Sequence, residues 1–290
     1  MNSQMSHQEP KTKRSESASP AQDTNNWVVF ESDGYHIRAL APFKRFRGLE
    51  IPWDDMASLE ENTERIAKAS RSRKVVKLSA GQFCSPVEVF VKRYNFRTWL
   101  RFIFRAGRKT RAREEFDIGW KLMAKGIKTP RPVWMAEANG AVSPYSILAT
   151  EALPDSESAQ DRWLRCESEK QRRELLIALG QFTGRMHDAG FYHDDYKAGH
   201  LLIFPDRPSH PREFYLIDLL GGGFPAVLTR VRRAKNLYQM IRSFLPKRKD
   251  FGFTKDHREI FLLAYSGNAL QALEWSKWVD RVGRLKGRKL

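Results

Sequence analysis

A chain of 290 residues is long enough for one large domain or for two lobes, and its 41% hydrophobic and 29% charged content is that of a packed globular protein rather than a disordered or membrane-embedded one. The two cysteines, Cys84 and Cys166, lie far apart with no Cys or His at metal-ligand spacing. That excludes a disulfide framework and a zinc site, and it fits a reducing compartment. The formal net charge of +17, from 51 basic against 34 acidic side chains, demands an anionic partner: a nucleic acid, a membrane surface or a phosphorylated substrate.

Taken in chain order, residues 1–25 are polar and read as a disordered tail without the apolar core of a secretory signal. No apolar run is long enough to span a bilayer. Residues 27–39 predict a hairpin turning at Asp33-Gly34. Residues 54–70 predict a short helix. Strands are expected at 75–78 and 87–93; in the second, Val87, Val89 and Val91 alternate with Glu88, Phe90 and Lys92. A helix over 110–125 ends at Gly126, with Pro130 and Pro132 beyond it. Residues 146–153 read as a buried strand running into a hinge at Pro154-Asp155. A long helix over 167–189 is capped by Gly190. A hairpin of 201–204 with 214–219 follows, then helices over 226–245 and 256–282. Strands dominate the first half and helices the second, which predicts an α+β protein of two lobes: 26–152 and 153–290.

Between Lys92 and Glu114 the chain carries no acid. Arg93, Arg97, Arg101, Arg105 and Lys109 recur every four residues, while Phe96, Trp99, Leu100 and Ile103 fall on the other side. As a helix, this insert over 93–113 would set a cationic face against an aromatic one. Such a composition suits an element lying on an anionic membrane and equally one packed on the first lobe.

The densest chemistry is in Phe191-Tyr-His-Asp-Asp-Tyr-Lys-Ala-Gly-His-Leu-Leu-Ile203 and Tyr215-Leu-Ile-Asp-Leu-Leu-Gly221. Two acids, Asp195 and Asp218, stand near strand ends, with Lys197 and His200 between them in sequence. That set of groups suits phosphoryl transfer from a metal-bound nucleotide. Asp194 competes with Asp195, but only Asp195 forms an Asp-x-Lys pair with Lys197.

These segments resemble the protein-kinase-like fold and, within it, the lipopolysaccharide kinase family that phosphorylates Kdo or heptose in the lipid A core. Four anchors over roughly residues 65–245 carry the resemblance: Val89-Phe-Val-Lys92, Arg113-Glu-Glu115-Phe, the 186–197 loop and Leu216-Ile-Asp218-Leu. It implies ATP and magnesium as cofactors. Lys92 would hold the α- and β-phosphates, and an acid on the following helix would position it. Glu115 shares the helix face of Ile118 and Leu122 and is preferred to Glu114. Asp195 would be the base that orients the acceptor hydroxyl, with Lys197 near the transferred group. Asp218 would bind the metal. His200, the second metal-site candidate, stands where protein kinases place a metal-binding Asn; lipopolysaccharide kinases tend to have His there, although an imidazole is a poor substitute for oxygen toward magnesium.

Two departures matter. The Gly-x-Gly-x-x-Gly phosphate loop is missing before Lys92, where Ala67-Lys-Ala-Ser-Arg-Ser-Arg-Lys74 stands instead. Backbone N–H groups there would cover phosphates with added positive charge. No Ala-Pro-Glu follows Asp218, so the activation segment is short and a platform for protein substrates is absent. The expected function is an ATP-dependent kinase of a lipopolysaccharide inner-core sugar, working peripherally at the cytoplasmic face of the inner membrane. A protein or small-molecule kinase, or a catalytically inactive kinase-like binding module, is the alternative. No nucleic-acid motif accompanies the charge, so no nucleic-acid partner is expected.

Overall fold

The computed structural model describes residues 27–55, 65–70, 73–95, 109–138, 145–204, 213–245 and 252–286. The expected tail over 1–25 and most of the basic insert, 96–108, lie outside the described residues.

Strands β1 (Trp27–Ser32) and β2 (Tyr35–Leu40) form the expected hairpin. Its turn needs two residues with positive φ, and Asp33 and Gly34 supply 50° and 77°. Strands β3 (Arg65–Ser70), β4 (Arg73–Leu78) and β5 (Val89–Asn95) follow. Helix α1 (Arg111–Ala124) is next, then β6 (Pro132–Ala138) and β7 (Tyr145–Glu151). The seven strands make one antiparallel sheet in the order β1-β2-β6-β7-β5-β4-β3.

Alternation fixes which side of β5 faces which layer. Val89 and Val91 are fully buried in a core with Val76, Ile147 and Trp134. Lys92 and Tyr94, two residues apart, share the opposite face of the strand, under α1. The buried stripe of α1 is Ala112, Glu115, Phe116, Gly119 and Leu122. A Cβ on Gly119 would stand 2.6 Å from Cγ of Pro132, so the glycine lets α1 lie close on β6. Thr110 caps α1 by accepting from the Arg113 N–H.

The second half contains β8 (Glu157–Ser158), α2 (Ala159–Leu164), α3 (Glu169–Asp188), β9 (Tyr192–His193), β10 (Leu201–Ile203), β11 (Tyr215–Leu216), β12 (Gly222–Gly223), α4 (Arg230–Ser243), α5 (Lys255–Ser266) and α6 (Ala269–Leu285). The helices enclose a separate core built on Trp163, Leu176, Phe182, Met186, Leu237 and Phe261. Strands β10 and β11 pair as the expected hairpin, and β12 pairs with β9. A strand-rich part and a helical part thus stand as expected.

Several local expectations fail for physical reasons. Residues 65–70 are a strand, not the end of a helix, because their ladder partner β4 outweighs local preference. Strand β6 was not anticipated; the prolines at its start masked five buried residues, Pro132 to Ala136. The single helix expected over 256–282 is two, α5 and α6, broken by Gly267 in the left-handed conformation with φ 67°. Arg93 begins no helix: it lies in β5, pairs with Asp54 at 2.9 Å and stacks 4.2 Å from the Tyr145 ring centroid. Lys109, at the other end of the insert, pairs with Asp117 at 2.5 Å.

Helices α3 and α5 make the tightest of the helix contacts. A Cβ on Gly180 would stand 2.5 Å from the Phe261 carbonyl oxygen and 2.8 Å from Cβ of Ala264. Gly180→Ala gains about 1 kcal/mol of helix propensity but forces apart two backbones that cannot yield, at about 1–3 kcal/mol. Steric overlap should win, and thermal unfolding should show a lower Tm for Gly180→Ala than for wild type.

Candidate active site

Glu115 is the buried acid of α1, only 2% exposed. Its Oε1 accepts from Lys92 Nζ at 2.5 Å, and its Oε2 accepts from the Tyr94 hydroxyl. Burial, with the Glu115 charge behind it, holds the Tyr94 phenol well above its usual pKa, so it stays a donor. Glu114 lies in the first turn of the helix, away from Lys92. The structure therefore brings Lys92 to Glu115 and leaves Glu114 aside.

On the far side of the same space lies the 191–200 loop. His193 is fully buried, and its two ring nitrogens are both used. Nδ1 accepts from the Asp195 backbone N–H at 3.0 Å, and Nε2 donates to the Asp218 carbonyl at 2.8 Å. That pattern requires the neutral Nε2–H tautomer, and burial lowers the pKa of His193 accordingly. The bond also holds the backbone of Asp218, which has φ 57°, a left-handed conformation uncommon for a residue with a side chain.

Asn236 of α4 clamps the loop from below. Its Oδ1 accepts from the His193 N–H at 3.2 Å and its Nδ2 donates to the His193 carbonyl at 2.5 Å. Gln239 donates to the Asp194 carbonyl, and Ser243 Oγ accepts from the Ala198 N–H. Lys235 and the Tyr192 hydroxyl both bind the Asp194 carboxylate, each at 3.0 Å. Asp194 is thus tied to α4, whereas Asp195 turns the other way and pairs with Lys197 at 2.7 Å. Burial tends to raise the pKa of Asp195, but the hydrogen bond and charge of Lys197 outweigh it and hold the carboxyl below its usual value.

His200 joins the two acids. Its Nε2 is 3.9 Å from Asp195 Oδ2 and 3.8 Å from Asp218 Oδ2. Burial, reinforced by Lys197, pushes its pKa down to about 4 against the pull of both carboxylates, so it is neutral at pH 7. Its Nδ1 is buried with no hydrogen-bond partner among the described residues. Asp218 is pushed up by burial, yet Arg73 and Lys92 bring it to about 2. Arg73, the first residue of β4, makes a two-pronged contact with it: Nη1–Oδ1 at 2.5 Å and Nη2–Oδ2 at 3.3 Å.

Arg73, Lys92, Glu115, His200 and Asp218 line one cavity of about 440 Å³ between the sheet and the helical part. Its apolar walls are Val75, Phe90, Pro132, Leu202, Ile217 and Leu219. Asp195 and Lys197 line a neighbouring hollow of about 560 Å³ with Tyr238, Gln239, Arg242 and Lys286. The expected site residues therefore converge, with His200 at the boundary of the two spaces.

The donor set suits a hard divalent cation in part. No group of three or more His, Cys, Asp or Glu forms a ready metal nest among the described residues. Magnesium, however, keeps several waters and takes substrate phosphates, so one or two carboxylates suffice, and Asp218 is ionised and faces the cavity. The imidazole of His200 is a poor ligand for it.

Sequence reading missed several participants. Tyr94 carried a signal, since it shares the strand face of Lys92 two residues on. Arg73 stood in the stretch that replaced the phosphate loop, but its pairing with Asp218 had no local trace. Asn236 and Gln239 had none either; their partners lie over forty residues away.

The sequence matches the lipopolysaccharide kinase (Kdo/WaaP) family over residues 65–265. No curated protein matched it. Among solved structures, "WaaP in complex with acyl carrier protein" shares the fold, with a TM-score of 0.59 and 21% identity, covering 84% of this chain and 96% of that one.

The clamp contains a second buried imidazole. His187 contacts Asn236 Oδ1 at 3.3 Å and the Tyr265 hydroxyl at 3.0 Å. Burial pushes its pKa from 6.5 to about 3, with Arg233 adding to the fall. The unfolded chain binds this proton near pH 6.5 and the folded one only near 3. Stability should therefore fall as the pH drops through that window, by up to about 1.4 kcal/mol per pH unit. Urea unfolding between pH 7 and pH 4 should show it, with a shallower slope in His187→Gln.

Proposed function

The chain belongs to the lipopolysaccharide kinase (Kdo/WaaP) family, and from that premise we propose that it transfers the γ-phosphate of ATP to a hydroxyl of Kdo or heptose in the lipopolysaccharide inner core. As a lipopolysaccharide kinase it is a phosphotransferase acting on a sugar hydroxyl. What supports the finer reading is one juxtaposition: Lys92, Asp218 and His200 line one cavity with apolar walls, and His200 stands 3.8 Å from Asp218 and 3.9 Å from Asp195.

In this reading, the apolar walls take the base, and Leu153 and Ser156 lie along the hinge between residues 26–152 and 153–290. Lys92, fixed by Glu115 and Tyr94, is the point charge for the α- and β-phosphates. Asp218, beside His200, is the residue to hold magnesium. A bound magnesium nucleotide supplies the phosphoryl group and a cation that offsets its charge. Asp195 stands at the opening of the acceptor hollow. Kept ionised by Lys197, it is a weak base, suited to orienting a hydroxyl and receiving its proton late in a loose transition state. Lys197 supplies positive charge where the phosphoryl group crosses between the two spaces.

The acceptor hollow is cationic, with Lys197, Arg242 and Lys286 around it. That favours an anionic, hydroxyl-rich acceptor over a neutral one. Residues 219–229 are all the chain between Asp218 and α4, which leaves little for a protein-binding platform. Among the described residues no helix is long and apolar enough to cross a membrane. We assign peripheral attachment to the basic stretch 96–108, on its sequence alone.

Incubation with labelled ATP, magnesium and underphosphorylated lipopolysaccharide, beside a generic protein acceptor, tests the reaction. Label should enter the lipopolysaccharide only. Asp195→Asn should lower kcat by about 100-fold or more with nucleotide binding kept, and Lys92→Ala should weaken ATP use. Retained turnover in Asp195→Asn would reassign the base.

A separate sedimentation assay checks the membrane reading. Changing Arg97, Arg101 and Arg105 together to Ser should release the protein from anionic vesicles at physiological salt. Equal binding before and after would remove this stretch from membrane attachment.

A further inference from the structure

We propose that Arg73 is a phosphate-binding residue that rests on Asp218 when the cavity is empty and passes to the nucleotide's phosphates when they enter. This rests on the kinase reading above and goes beyond it, because the phosphate loop on which such a fold relies is missing here.

Arg73 opens β4, which pairs with β3, and this pair of strands covers the stretch that stands in place of that loop. Its guanidinium lines the same cavity as Lys92 and Asp218, and its side chain is only 16% exposed. The two-pronged contact at 2.5 and 3.3 Å uses both oxygens of Asp218. A guanidinium fork fits a phosphate as well as it fits a carboxylate, and with the same planar geometry.

The electrostatics require an exchange. Asp218 cannot serve a divalent cation fully while both its oxygens bind an arginine, because two cations on one carboxylate repel. Incoming phosphates carry enough negative charge to take the arginine over. Each charge then still has a partner: guanidinium with phosphate, carboxylate with the cation. The side chain remains anchored on a paired strand, so only its rotamers need change. One residue thereby keeps the empty site electrically balanced and replaces part of the lost backbone cradle.

Calorimetric binding of adenosine and of a non-hydrolysable ATP analogue with magnesium, to wild type, Arg73→Ala and Arg73→Lys, tests the assignment. Arg73→Ala should lose about 10- to 100-fold in affinity for the analogue and keep its affinity for adenosine, which also reports that the cavity is folded. Arg73→Lys should fall between, since it keeps the charge without the fork. Equal binding of the analogue to wild type and Arg73→Ala overturns the proposal. So does an equal loss for adenosine and the analogue, which marks a structural role. A wild-type protein that binds neither compound overturns the kinase reading itself, and the proposal with it.

Discussion

A carboxylate buried to 2% exposure is the constraint around which this molecule is arranged. Glu115 has been taken from water into the contact between a helix and a sheet, where an unpaired charge is costly. Both its oxygens are answered from one strand face, by Lys92 and Tyr94. Breaking such a pair costs about 3–5 kcal/mol because the remaining charge stays buried. The pair therefore fixes the angle of α1 on the sheet as well as the position of the lysine. Gly119 permits the close approach, and the Trp27 ring, 5.2 Å from Phe116 and 5.0 Å from Trp120, ties the first hairpin to the same helix.

The second half solves a different problem. A loop that presents two acids and a lysine has few apolar side chains to hold it. Its rigidity comes from hydrogen bonds to its backbone, made by side chains of α4 and by the buried imidazole of His193. The ring nitrogens of His193 and the side-chain amide of Asn236 all find partners, which is the condition for a polar network to stiffen a site. The same network decides between neighbours. Asp194 is bound by Lys235 and Tyr192, and Asp195 is left to face the hollow it lines with Lys197. His193 also links the loop to the backbone of Asp218, so the two acids keep their spacing.

Charge is distributed to match. The first cavity holds Arg73 and Lys92 around Asp218, Lys197 pairs with Asp195 in the neighbouring hollow, and a neutral His200 stands between the acids. The hollow beyond Asp195 adds Arg242 and Lys286. Positive potential thus runs through both spaces, which suits anionic substrates.

Much of the design was legible in the chain. Alternation in Val89–Lys92 put the lysine on the face opposite the valines, and helical spacing chose Glu115 over Glu114. Asp33-Gly34, Gly126 and Gly190 marked turns and helix ends through their positive φ. These features are local: they depend on neighbours two to four residues away, so periodicity exposes them. The resemblance of four ordered anchors supplied the family and the kinase-like fold. Strand β3 escaped because its ladder partner overrode local preference, whereas the break at Gly267, followed by the capping Asn268, had a local signal that helical periodicity on either side hid. The grip of Asn236 on His193, the tie of Asp194 to Lys235 that sets it apart from Asp195, and the contact of Arg73 with Asp218 join residues 41 to 145 positions apart. Only the folded chain could decide them, since a hydrogen bond depends on distance in space and leaves no period in the sequence.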